Sequence, residues 1–237
     1  IPLKSNIKIF EDKIYIINHE DRLLCLDIEE GVKIWDVRSI TSFIKTQLFL
    51  ALAISKEGDI VVLSSSGDLV KVKANNGKIY WSLNTKDSMI NNNTDFFQSS
   101  NITIVDDDII FATSSSIFSH NLNTGYLNWK ENIGSKNTPI VDGNNVFLVS
   151  DNGYFVNLDR KSGKIIWATN ILKVLKTKKQ KTYITGFVMG SGKIYAVSLN
   201  GYLIVSSALS GKVEYFKKVA DSITSAPIIS NGSLYIL

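Results

Sequence analysis

Five times along this chain a glycine is followed four positions later by an aromatic residue: Gly31 and Trp35, Gly77 and Trp81, Gly125 and Trp129, Gly163 and Trp167, Gly211 and Tyr215. The glycines are 46, 48, 38 and 48 residues apart. A period of that length constrains the architecture more than any other feature, because each repeat is one supersecondary unit that buries its apolar surface only against its neighbours. The rest of the unit keeps step with the glycine. Ten residues before it stands Asp21, Gly67, Ser115, Gly153 or Gly201, all types that accept a tight or left-handed turn. Two and three residues after that turn come the apolar pairs Leu23-Leu24, Leu69-Val70, Ile117-Phe118, Phe155-Val156 and Leu203-Ile204.

Further upstream in each copy lies a short β-branched or aromatic run, at residues 14–17, 60–63, 109–111, 146–149 and 194–197, and these runs read as strands. A polar turn precedes each run, and another apolar strand precedes the turn. The unit is therefore strand, turn, strand, turn, strand, glycine turn, strand, with neither helix period nor helix caps between copies. Consecutive apolar residues imply strands covered on both faces, where a half-exposed sheet would alternate. Stacked four-stranded meanders meet that need as blades. The expected fold is all-β, a β-propeller of four-stranded antiparallel blades, with five complete motif endings and a sixth opening at residues 226–237. One propeller domain over residues 1–237, incomplete at both ends, is the expected organisation.

Composition removes several function classes. At 44% hydrophobic and 20% charged, the chain has an ordinary globular make-up, long enough for a large all-β domain. The longest apolar stretch, residues 48–54, is strand-sized and falls far short of the ~20 residues of a spanning helix. A net charge of +4, spread along the sequence, lacks the dense Lys/Arg stripes of a nucleic-acid footprint. The lone Cys25 excludes an intrachain disulfide and any cysteine-based metal site. Residues from Ile1 onward show no signal-peptide pattern, so any targeting segment is expected upstream.

The ending Leu-Asp-x-x-x-Gly-x-x-x-Trp, preserved best from Leu26 to Trp35 and from Leu158 to Trp167, resembles the pyrroloquinoline-quinone (PQQ) repeat family. In that family the glycine makes the last hairpin turn and the tryptophan packs on the neighbouring blade. A Trp-Asp pair of the WD40 kind occurs only at Trp35-Asp36, and the paired glycines of kelch repeats are missing. Thr138-Pro-Ile-Val-Asp-Gly143, residues 146–149, Asn200-Gly-Tyr-Leu203 and Ala226-Pro-Ile-Ile-Ser-Asn-Gly232 are similar to blade openings and turns of the BamB family within that group. The resemblance implies an eight-bladed ring in full. It implies a non-catalytic lipoprotein scaffold of the periplasm of a Gram-negative bacterium, associated with the outer membrane through a lipid anchor outside this chain. Its implied partners are the barrel-inserting subunit of the Bam complex and unfolded outer-membrane proteins.

The enzymatic relatives set the test for catalysis. A PQQ site of that family is implied to need a vicinal cysteine pair, a stacking tryptophan and calcium ligands. One cysteine cannot supply the disulfide, all four tryptophans sit at docking positions, and no haem-attachment motif occurs. No cofactor and no metal are therefore expected. Asp106-Asp107-Asp108 offers oxygen ligands of the kind calcium takes, yet it aligns with an ordinary inter-strand turn in the other copies. His19 and His120 lie in different repeats without partner motifs. A fragment of a PQQ-dependent dehydrogenase, or a sensor or adaptor domain, is the alternative reading.

Two links exceed the repeat: residues 36–50, with Phe43, Ile44 and Lys45, and residues 82–101, rich in asparagine with Asp95, Phe96 and Phe97. Long links on a rigid frame are where binding residues concentrate. The family resemblance implies partner contacts there, at a Leu-x-Leu-Arg stretch and an Asp-x-Asp. Phe43, Ile44, Lys45 and Asp95 are the positions that match, and only loosely. A third link carries Lys173, Lys176, Lys178, Lys179 and Lys181, which read first as a solvated loop face.

Overall fold

A computed structural model describes residues 3–38, 50–64, 66–85, 98–175 and 182–237. Among them are five four-stranded sheets and one two-stranded sheet. The first sheet holds β1 (Lys8–Phe10), β2 (Lys13–Ile17), β3 (Arg22–Asp27) and β4 (Lys33–Arg38). The second holds β5 (Ala51–Ile54), β6 (Asp59–Leu63), β7 (Asp68–Lys73) and β8 (Ile79–Asn84). In the third are β9 (Thr103–Val105), β10 (Asp108–Ala112), β11 (Ile117–Asn121) and β12 (Leu127–Glu131). The fourth comprises β13 (Ile140–Asp142), β14 (Asn145–Val149), β15 (Tyr154–Asp159) and β16 (Ile165–Asn170). The fifth comprises β17 (Ile184–Gly190), β18 (Lys193–Ser198), β19 (Tyr202–Ser207) and β20 (Val213–Lys218), and β21 (Ile228–Ser230) pairs with β22 (Ser233–Tyr235). In every sheet, strands adjacent in sequence are adjacent in space.

Among the described residues one helical element interrupts this series: a 3-10 turn at Ile171–Leu175. The sequence shows no helix period there because the turn is local. Asn170 Oδ1 accepts the backbone N–H groups of Leu172 and Lys173 (3.1 and 3.2 Å), and Ile171 and Leu175 are buried.

The chain divides into two compact units, residues Ile1–Thr113 with Phe118–Lys130, and Ser114–Ile117 with Glu131–Leu237. Within the first unit the second sheet is apolar on both faces, which explains the unbroken run at residues 60–63. Ile60, Val62, Val70 and Val72 pack against Tyr15, Ile17, Leu23 and Cys25 of the first sheet. Val61, Leu63 and Leu69 pack on the opposite side against Ile109, Phe111, Phe118 and Leu122 of the third. Full burial of one such side chain contributes about 1.5–3 kcal/mol. In the second unit Phe147, Val149 and Phe155 meet Ile184, Phe187, Ile194 and Ile204 in the same way.

The motif glycine and aromatic have complementary jobs. A register shift between Cys25 and Leu26, repeated at Lys71/Val72, Asn157/Leu158 and Val205/Ser206, puts one extra residue into the fourth strand just before the aromatic. Such a bulge turns the following side chain to the face on which it is needed. In the first unit Trp35 then lies over Gly77 of the next sheet and donates Nε1–H to the Ala74 carbonyl at 3.0 Å. Trp81 lies over Gly125 and donates to the Leu122 carbonyl at 3.1 Å. In the second unit Trp167 covers Gly211, its ring meeting Phe155 edge-on at 5.0 Å. Trp129, on β12, is buried; Trp35, Trp81 and Trp167 are half-buried. Gly31 and Gly163 have left-handed backbones like the other motif glycines, and Tyr215 is 50% exposed.

Candidate interaction surface

The two long links leave the ends of β4 and β8 and return at Leu50 and Gln98. Phe43, Ile44, Lys45 and Asp95 lie outside the described residues, as do Lys176, Lys178, Lys179 and Lys181. The frame from which the links rise is tightly tied. Leu50 donates its N–H to the Lys4 carbonyl at 2.5 Å and is bridged to Ser5. Lys4 in turn places Nζ 3.0 Å from Asp21 Oδ1, in the turn between β2 and β3. At the start of the second link Thr85 donates both N–H and Oγ1–H to the Gly67 carbonyl, each at 2.8 Å. The first link is thus tied at its return, at Leu50, and the second at its departure, at Thr85.

Buried serines hold the segments that lead into the first and third sheets, and sequence pattern alone does not mark them. Ser5 Oγ accepts the Ile17 N–H at 2.8 Å, and Ser100 Oγ accepts the Ala112 N–H at 3.0 Å. Each satisfies a backbone donor that would otherwise be buried unpaired. The signal is visible once sought: Ser5-Asn-Ile-Lys-Ile9 and Ser100-Asn-Ile-Thr-Ile104 are the same pentapeptide apart from one position.

The residues with catalytic potential are engaged in structure. His120 is buried, stacked on Phe111 and Phe118, with Nδ1 3.0 Å from the Gly125 carbonyl. Burial pushes its pKa below the ordinary 6.5, so the ring is neutral. His19 is exposed. Asp106 occupies a left-handed turn position (φ 51), Asp107 accepts Asn123 Nδ2–H at 2.9 Å, and Asp108 accepts Asn128 Nδ2–H at 3.0 Å. Among the described residues no three His, Cys, Asp or Glu side chains are grouped to hold a metal. Cys25 is fully buried and its thiol pKa is raised by desolvation, so thiolate chemistry is disfavoured. Asp36 is held below the usual carboxylate range by its hydrogen bond to Lys33 and by Arg22.

In the second unit the strand-entry and turn segments enclose a cavity of about 510 Å³, lined by Lys136, Asn137, Asp151, Tyr183, Thr185 and Thr224 among others. Its shape is set by backbone ties: Asp151 Oδ1 accepts the Lys136 N–H at 3.2 Å, and Leu199 donates its N–H to the Tyr183 carbonyl at 3.0 Å. The lining combines one ammonium, one carboxylate, one phenol and neutral hydrogen-bonding groups with Ile184 and Leu199. Residues from five separate chain segments meet there, so no local motif announces it.

A family model described as outer membrane protein assembly factor BamB matches residues 11–169. The chain belongs to the BamB family. A BamB of Moranella endobia (strain PCIT) is 21% identical over 249 residues, covering 99% of this chain and 59% of that protein. The crystal structure of BamB from Moraxella catarrhalis superposes with a TM-score of 0.76 at 16% identity, covering 97% of this chain and 68% of the other. Quinohemoprotein alcohol dehydrogenase from Comamonas testosteroni gives a TM-score of 0.65 at 14% identity, over 92% of this chain and 43% of the enzyme. The fold is thus all-β, a β-propeller of four-stranded antiparallel blades, shared by BamB proteins and quinoproteins. No helix among the described residues is long and apolar enough to cross a membrane.

Proposed function

We propose that this chain is the blade-bearing part of a non-catalytic scaffold for outer-membrane β-barrel assembly, working in the periplasm and associated with the outer membrane through a lipid anchor outside residues 1–237. The observation that carries this reading is the BamB family match over residues 11–169. The engagement of His120, Cys25 and Asp106 to Asp108 in packing and turns favours binding over catalysis. The partner would be the barrel-inserting subunit, held through the links after Trp35 and Trp81, with unfolded outer-membrane proteins as further clients. The physical logic is preorganisation: a link held to its frame by hydrogen bonds, as at Leu50 and Thr85, loses less entropy on docking than a free one. Phe43 and Ile44 supply apolar anchors, and Lys45 and Asp95 the charged rim expected around them.

Replacement of both Phe43 and Ile44 by serine, or Lys45→Glu or Asp95→Lys, should weaken capture of the purified barrel-inserting subunit by about tenfold or more, equivalent to about 1.4 kcal/mol. The thermal midpoint should not change, and Lys179→Glu should bind normally. If the link variants bind at full strength while Lys179→Glu does not, the docking surface is on the wrong link.

A further inference from the structure

The first strand of each sheet is entered through a residue whose side chain differs from repeat to repeat. Six positions before the last residue of that strand, Phe10, Asp142 or Ser230, stand Lys4, Lys136 and Thr224. In the fifth sheet a register shift between Ile184 and Gly186 adds one residue, which makes Tyr183 the counterpart. Lys4 is neutralised where it stands, with Nζ 3.0 Å from Asp21 Oδ1. In the fourth sheet Gly153 takes the place of Asp21, and Lys136 forms no ion pair among the described residues. Lys136, Tyr183 and Thr224 all line the cavity of about 510 Å³ in the second unit, together with Asn137 and Asp151. Three successive strand entries thus bring a free ammonium, a phenol ring 52% exposed and a hydroxyl to one place. The main chain there is already engaged. The N–H groups of Lys136, Asn137, Asp151 and Leu199 go to Asp151 Oδ1, Ser135 Oγ, the Gly134 carbonyl and the Tyr183 carbonyl, and the Leu199 carbonyl accepts from Ile223. The side chains keep their capacity: the Lys136 ammonium, the Asn137 amide and the Tyr183 and Thr224 hydroxyls bond to no described residue, and Asp151 retains Oδ2.

We propose that this cavity binds a neutral pyranose sugar, with the Tyr183 ring against one face of the sugar and the Lys136, Asn137, Asp151 and Thr224 side chains on its hydroxyls. A sugar hydroxyl both donates and accepts, and the lining offers both: ammonium and amide N–H groups as donors, carboxylate and amide oxygens as acceptors, hydroxyls as either. The formal charges of Lys136 and Asp151 cancel, so an anion attracted by one is repelled by the other, and a cation likewise. The C–H bonds on a pyranose face are apolar and weakly positive, which suits the negative face of an exposed aromatic ring. An extended peptide needs unpaired main-chain groups or a run of apolar pockets, whereas the main chain here is engaged and the apolar lining is Ile184 and Leu199. The volume is that of a small-molecule site. A glycan strand and the headgroup of a glycolipid share this ring chemistry.

The test titrates the intact protein with glucose, N-acetylglucosamine and chitobiose by saturation-transfer NMR, with a blocked peptide of alternating threonine and valine as the rival ligand. At least one sugar should bind saturably at millimolar concentration, and Tyr183→Ala and Asp151→Asn should each weaken that binding about tenfold or more without moving the thermal midpoint. Asp151→Asn keeps the Oδ1 acceptor for the Lys136 N–H, and Tyr183→Ala keeps the main-chain tie to Leu199, so the cavity retains its shape in both. Should either variant unfold, Thr224→Val, at an exposed residue, takes its place. Tighter binding of chitobiose than of N-acetylglucosamine marks a glycan strand as the source, and equal binding of the two with retention of the protein on vesicles carrying a glucosyl lipid marks a glycolipid headgroup. Saturable binding of none of the three sugars overturns the proposal, as does binding that either variant keeps at full strength, or uptake of the peptide in place of the sugars. Tyr183→Ala should still capture the barrel-inserting subunit at full strength; loss of that capture gives the cavity to the protein partner and overturns the sugar site.

Discussion

Trp35→Ala is expected to destabilise the protein by about 3 kcal/mol, the lower end of the range for deleting a large aromatic, because one side of the ring already faces solvent. The ring packs beside Tyr15 with centroids 5.9 Å apart, covers Gly77 and donates Nε1–H to the Ala74 carbonyl, so alanine removes apolar burial and a hydrogen bond together. The receiving side gives an independent check. A β-carbon at Gly77 would stand 2.8 Å from Trp35 Cε3 on a backbone with φ +70, so Gly77→Ala should cost about 1–3 kcal/mol from overpacking and about 1–2 kcal/mol from left-handed strain. With Trp35→Ala already in place the ring contact disappears, leaving the strain and the looser contact with Val37 Cγ2 at 3.0 Å. The double variant should therefore lose clearly less than the sum of the singles, by at least about 1 kcal/mol in urea unfolding. Strict additivity would mean that ring and glycine do not touch.

Lys4→Met should cost about 3–5 kcal/mol, the range for breaking a buried ion pair and leaving one charge behind. Lys4 and Asp21 side chains are only 12% and 7% exposed and meet at 3.0 Å, so this is not a screened surface pair. Asp21 occupies a left-handed turn position (φ 60) that Gly67, Gly153 and Gly201 occupy in other sheets. The pair thus stands where glycine suffices elsewhere, and the double variant Lys4→Met with Asp21→Gly should regain most of the loss in chemical denaturation. Should the double variant be as unstable as Lys4→Met alone, the cost lies in packing of the lysine stem and not in the stranded carboxylate.

The periodicity at glycine and aromatic was enough to read strand order, meander topology and sheets apolar on both faces, because those follow from side-chain pattern and turn chemistry alone. Finer geometry escaped. Ser115 aligns with Asp21 and Gly67 yet is not among the left-handed residues, whereas Glu11, Asp106, Ser191 and Asn231 are, at turns where sequence marks only polarity. Any polar residue suits an exposed turn, and the sign of φ there is set by the hairpin's twist. The serines at positions 5 and 100 were hidden because serine is ordinarily a surface residue, and only the backbone donors they satisfy explain their burial. The same motif position leaves Trp35, Trp81 and Trp167 half-exposed and Trp129 buried, so the burial of the ring is set by its neighbours rather than by the motif. The cavity lined by Lys136 and Tyr183 was illegible because its walls come from distant segments.

The reading of this chain as a binding scaffold rather than a quinoprotein turns on which ligand the intact protein takes up. Calorimetric titration of the purified protein with the barrel-inserting subunit, and separately with PQQ in the presence of calcium, tests it most directly. The account predicts saturable one-to-one binding of the subunit and no heat or absorbance change with PQQ. Stoichiometric PQQ uptake, accompanied by dye-linked alcohol or sugar oxidation and no binding of the subunit, would contradict it.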